Sequence, residues 1–148
     1  MKIQDVPFNG LLGIQQSPRE GYILEMANHD YLLNHLGTVH AGALFSLAEA
    51  TSGEFLLRQL HGSELDVISL VRKVDIKYSR PAESAVYSTA DFVENSVDKV
   101  YAGLLESEKV IVQVKVKLYN EKNDRIVVSN FHWFLWNPDK IFSSIGGN

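Results

Sequence analysis

The 148-residue sequence predicts an α+β domain in which a mostly antiparallel sheet covers one buried helix. Three observations carry that expectation. A run of apolar side chains at helical spacing extends from His40 to about Leu60, the hydrophobic period then changes from helical to alternating, and two long alternating arms meet at a turn near the end of the chain. No repeat, low-complexity tract or Pro/Gly/Ser linker divides residues 1–148, so a single domain is expected.

In chain order, residues 10–16 and 21–28 are short, partly β-branched or aromatic, and flank the turn-forming stretch SPREG, which predicts two strands. A loop from His29 to Val39 leads to the long helix, which Gly62 ends in a left-handed position. In VDIKYSRP, Val74, Ile76 and Tyr78 point one way and Lys73, Asp75 and Lys77 the other. A further strand is expected over residues 84–93. Val97, Val100, Tyr101, Leu104 and Leu105 then recur at helical spacing, with Ser96 placed to cap a short amphipathic helix. The last two strands are KVIVQVKVKLYN and RIVVSNFHWFLW, joined through residues 120–124 as an antiparallel hairpin.

Composition narrows the chemistry. A formal net charge of -4 gives no broad basic field, so neither nucleic acid nor a membrane surface is an expected partner. The absence of cysteine excludes disulfides, thiolate metal sites and a cysteine nucleophile. The five histidines lack metal-ligand spacing with acids, and neither a Gly-rich phosphate loop nor a Gly-x-Ser-x-Gly elbow is present. With no leader at the N-terminus and no apolar run of membrane-spanning length, a cytoplasmic location is expected.

The segment NHLGTVHAGALFSLAEA, residues 34–50, concentrates the chemistry. On a helical wheel Glu54 and Arg58 pair as an ordinary surface couple near Gln59, whereas Glu49 falls on an apolar face between Phe45 and Leu56 on one side and Leu60 on the other. Gly53, one turn on, leaves open volume beside it. Two readings stand at this point: a glutamate snorkelling to water at the helix edge, or a desolvated carboxylate of raised pKa in a functional site. The small residues Ala41, Gly42 and Ala43 leave backbone N–H groups accessible at the positive end of the helix, where an oxyanion or polarised carbonyl can bind. The same small residues would also let the sheet wrap closely.

Asn34, Gly37, Val39, His40, Gly42, Ala43, Leu44, Leu47, Ala48 and Glu49, followed after a strand by YSRPA, resemble the signature of the PaaI-like hotdog-fold acyl-CoA thioesterases. The resemblance spans about residues 20 to 136. It implies a curved antiparallel sheet wrapped around one long central helix, with the short helix near residue 100 as an addition. It further implies that Glu49 is general base or nucleophile, that the Ala41 N–H polarises the thioester carbonyl, and that His40 and Asn34 order the loop and assist carbonyl binding. Gly42, Phe45, Gly53, Ser69, Val71, Arg72 and Arg80 form the expected substrate-facing set, the two arginines toward CoA phosphates or simply as part of a solvated strand face. No metal or organic cofactor is expected; coenzyme A enters as part of an acyl-CoA substrate, with an acyl-carrier-protein thioester as the variant.

This sequence departs from the family pattern in three places. His-Ala-Gly stands at 40–42 where His-Gly-Gly is usual, Val71 occupies the position of an assisting Ser or Thr with Ser69 on the same face, and residues 96–107 form a longer connection. Two other activities stay open: a dehydratase or isomerase using His35 with Glu49, and a non-catalytic acyl-CoA binder. Ala41 and Glu49 lie eight positions apart, or about 12 Å along a helix. Both can act on one carbonyl only if they come from two chains, which predicts a homodimer with shared sites, extendable to a dimer of dimers.

Overall fold

The computed structural model describes residues 2–63, 65–107 and 109–139. The expected single unit over 1–148 therefore includes positions outside the described residues. A 3-10 turn at Ile3–Asp5 leads into helix α1 (Pro7–Leu11), then strands β1 (Ile14–Gln16) and β2 (Leu24–Met26). After a second 3-10 turn at Asp30–Leu32 come helix α2 (Ala41–Gln59), β3 (Ile68–Tyr78), β4 (Val86–Phe92), helix α3 (Val97–Glu106), β5 (Lys109–Tyr119) and β6 (Arg125–Trp136). The six strands form one antiparallel sheet in the order β1-β2-β4-β5-β6-β3.

The long helix, the short helix and the closing hairpin stand where the hydrophobic pattern places them. The N-terminus differs. The strand expected over residues 10–16 is confined to Ile14–Gln16, because Pro7, whose ring presets a helical φ, starts a short helix that runs through Leu11. Gly13, at φ +71, then turns the chain into β1.

Helix α2 lies on the inner face of the sheet and touches β2 through β6. Its apolar faces meet the alternating residues of the hairpin: Val112, Val114, Val116 and Leu118 of β5 and Val127, Phe131, Trp133 and Leu135 of β6 are all buried. The few polar side chains turned into this interior are paired. Thr51 Oγ1 lies 2.7 Å from Ser88 Oγ and 2.7 Å from the Leu47 carbonyl, and Ser88 Oγ also bonds the backbone of Leu24. Such a network ties helix to sheet without an orphaned buried group. Helix α3 is capped by Ser96 Oγ, which accepts from the Lys99 N–H, and it buries Val100 and Leu104 beside β5.

Strand β3 carries a bulge. Val71 pairs with Trp133 and Lys73 with His132, so Arg72 is an extra residue with no partner of its own. Before it, Ser69 and Val71 face inward with Leu135 and Trp133; after it, Val74, Ile76 and Tyr78 share the face of Phe131, Ser129 and Val127. The bulge therefore keeps both halves of the strand turned toward α2.

Phe131 is fully buried and packs against Phe45 of α2 with ring centroids 5.8 Å apart. Phe131→Ala should destabilise the protein by about 3–5 kcal/mol in chemical denaturation, since a void at this helix–sheet contact cannot close.

Candidate active site

The loop before α2 is shaped by Asn34. Its Oδ1 accepts from the N–H groups of Leu36 (2.9 Å) and Thr38 (3.1 Å), and its Nδ2 donates to Thr38 Oγ1 (2.9 Å). Gly37, at φ +75, closes the turn, and the Val39 N–H bonds the Ala82 carbonyl at 2.8 Å. His40 is the helix N-cap: Nδ1 accepts from the Gly42 N–H at 2.8 Å, so in the neutral ring the proton sits on Nε2. A Cβ on Gly42 would lie 3.1 Å from that same Nδ1, so a larger residue would push the imidazole a few tenths of an ångström from this position.

The His40 carbonyl receives the N–H groups of Ala43 and Leu44 at 3.0 and 3.1 Å. With the Gly42 amide taken by the imidazole, the Ala41 N–H is the one in this first turn that no group among the described residues accepts. Ala41 is exposed and has an ordinary helical backbone, so the His-Ala-Gly departure costs the amide nothing. Tyr78 Oη donates to the Ala41 carbonyl at 3.3 Å. Asn34, Ala41, Leu44, Tyr78 and Arg80 line a cavity of about 300 Å³ at this helix end.

Glu49 lies two turns further along, in a second cavity of about 250 Å³ walled by Ile3, Val6, Phe8, Gly53, Ser69 and Trp133. Burial raises its pKa above the ordinary carboxylate value, and among the described residues none donates a hydrogen bond to the carboxylate. Trp133 is locked in place because its Nε1 donates to Ser52 Oγ (2.9 Å), which in turn donates to the Glu49 carbonyl (2.7 Å). The greasy surroundings expected of Glu49 are present, but their source differs from the wheel. Phe45 packs into the core, and the wall comes from the N-terminal segment and Trp133.

The two cavities share no lining residue. Strand β3 connects them, with Ser69 at the Glu49 end and Tyr78 at the Ala41 end. Val71 faces inward opposite Trp133 but lines neither cavity, and Arg72 is exposed at the bulge. Arg80 sits at the helix-start cavity, where it also pairs with Asp124 at 3.5 Å. His35 is exposed and borders neither cavity.

Two residues need a new reading. The Glu54–Arg58 pair is no surface couple: Glu54 is only 8% exposed, and it bonds Arg58 Nε and Gln16 Nε2 at 2.9 Å each, so β1 rather than Gln59 completes it. Tyr78, absent from the expected site residues, stands beside Ala41; its place on the inward-facing alternation was the available signal. Among the described residues no group of three His, Asp or Glu side chains is placed to hold a metal ion, and no helix is long and apolar enough to cross a membrane.

The family model of a domain of unknown function, DUF4442, matches residues 17–135. The chain belongs to the DUF4442 family. No curated protein sequence matches this DUF4442 chain. Solved structures share its hotdog fold. A Pseudomonas aeruginosa protein of unknown function, described as a probable thioesterase, superposes with a TM-score of 0.75 at 22% identity, covering 91% of each chain. A thioesterase of Haemophilus influenzae gives 0.70 at 18% identity, over 91% of this chain and 86% of its own. A Bacillus halodurans protein solved with CoA gives 0.60 at 17% identity, over 76% and 69%. The resemblance first read from residues 34–49 is thus matched by the fold of the whole domain.

Because burial raises the Glu49 pKa, the native state binds this proton more tightly than the unfolded chain, and stability falls as pH rises from the unfolded value through the folded one. Glu49→Gln should therefore unfold at higher denaturant than wild type at pH 8. The gap should narrow as pH falls toward 4.5, the value of an unperturbed glutamate.

Proposed function

We propose that this DUF4442 protein hydrolyses acyl-CoA or acyl-carrier-protein thioesters, with Glu49 as the acid–base group and the Ala41 N–H as oxyanion donor. The observation that carries this reading is the pairing of a desolvated carboxylate without a hydrogen-bond donor and an unclaimed amide at a helix start, both opening into cavities. Glu49 takes a proton from water as the water oxygen bonds to the thioester carbon, and the carbonyl oxygen gains charge against the Ala41 N–H. Collapse of the adduct breaks the carbon–sulfur bond, and the proton held by Glu49 passes to the departing thiolate. Direct attack by the carboxylate reaches the same products through an anhydride that water opens. His40 and Asn34 act by holding the Ala41 peptide in place, and Ser69 borders the carboxylate.

Glu49 and Ala41 of one chain stand too far apart to share a carbonyl. Two chains resolve this. Strand β3 is an 11-residue sheet edge with Ile68 and Leu70 42% and 59% exposed, and such an edge invites pairing with a second strand. Antiparallel pairing of two β3 strands about a two-fold axis sets the Ser69 end of one beside the Tyr78 end of the other. Glu49 then faces the partner subunit's Ala41, and each dimer holds two sites. Exposed Ile68, Leu70 and Ile111 on the outer sheet face favour further association of dimers.

Glu49→Gln should abolish thiol release from acyl-CoA substrates. Ala41→Pro should fold, because proline suits the first helical position and His40 before it is already extended at ψ 137, yet lose about 10²–10³ in kcat with the N–H gone. Mixing the two inactive variants under subunit exchange should restore about a quarter of wild-type activity, one intact site per heterodimer. Two inactive proteins that stay inactive when mixed would exclude a site shared between chains.

A further inference from the structure

The Glu49 cavity does not end at Glu49. Leu57 and Ser69, which line it, also line a third cavity of about 370 Å³ under the C-terminal end of α2. Its apolar wall is Leu56, Leu60, Leu65 and Val67, and its rim carries His61 and Asp66. From Glu49 to Leu60 the helix advances eleven residues, or about 16 Å, so the two cavities lie in line along α2. At its far end Tyr101 of α3 donates to the Leu60 carbonyl at 3.4 Å, which holds the connection of residues 96–107 against the end of α2 and away from the Glu49 cavity.

We infer that these two cavities join past Leu57 and Ser69 into an acyl channel, and that the protein takes linear acyl chains of medium length in preference to acetyl or aryl groups. This rests on the thioesterase reading and names its substrate class. A thioester carbonyl at Glu49 directs its acyl chain past Leu57 and Ser69, along α2, toward Leu65 and Val67. Leu57 and Ser69, common to both cavities, mark the passage between them, which suits an unbranched methylene chain; a ring bonded directly to the carbonyl would have to sit against Trp133 and Gly53 instead. Each methylene buried in such a channel strengthens binding about three- to four-fold until the channel is filled.

The test is a chain-length series of thiol-release rates, from acetyl-CoA to hexadecanoyl-CoA with benzoyl-CoA beside them. The expected result is a kcat/KM that climbs from acetyl to octanoyl and exceeds that of benzoyl-CoA at least ten-fold. Leu65→Trp, which fills the far cavity, should lower the octanoyl-to-butanoyl ratio at least ten-fold; Leu65→Ala, which enlarges it, should move the optimum to longer chains. Calorimetric titration with butanoate, octanoate and dodecanoate reads the same ladder without turnover. Length-dependent binding with no hydrolysis of any thioester supports the channel and overturns the thioesterase reading alone. Equal affinity for all three acids, a preference for benzoyl-CoA, or a chain-length profile that neither Leu65 variant moves overturns the channel.

Discussion

A helix that is apolar on nearly every side can persist in water only by being enclosed, and the enclosure of α2 governs the rest of this molecule. The alternating residues of β5 and β6 supply the surface that covers it, and Thr51 with Ser88 and Ser52 with Trp133 fasten it by hydrogen bonds instead of leaving polar atoms stranded. A rod held so firmly cannot bend Ala41 and Glu49 together. The separation of Ala41 from Glu49 is consequently a fixed dimension of the fold.

The two ends of the proposed chemistry are prepared by different means. At the helix start, backbone geometry does the work: an N-cap imidazole and a loop tied by Asn34 use up the competing groups and leave a single amide. At Glu49 it is partial burial by side chains from distant parts of the chain. Preorganised dipoles and a desolvated base are complementary demands, since an environment dry enough to raise a carboxylate's pKa also strengthens a hydrogen bond to a developing oxyanion.

Much of this was legible in the sequence because it is local. Alternation over Val110 to Leu118 declares a strand with one buried face, and the spacing from His40 to Leu60 declares a helix. Glu49 stood out because it interrupts an apolar face. What escaped was long-range or irregular: a five-residue helix at Pro7–Leu11 is too short to show a period, and nothing in the local pattern says that Ile3 and Val6 return to cover a residue more than forty positions later. The bulge at Arg72 did leave a trace, for the apolar residues of β3 switch parity between Val71 and Val74. The burial of Glu54 could not be read because its partner Gln16 comes from strand β1, 38 positions earlier.

The two margins of the sheet are unequal: one border has an 11-residue strand and the other only three residues. Joining two molecules along their long borders would consume both and leave only stubs outward, too short to recruit a third. The same inequality that offers a docking rail on one side therefore withholds it on the other, so growth along the hydrogen-bonding direction is self-terminating rather than fibrous.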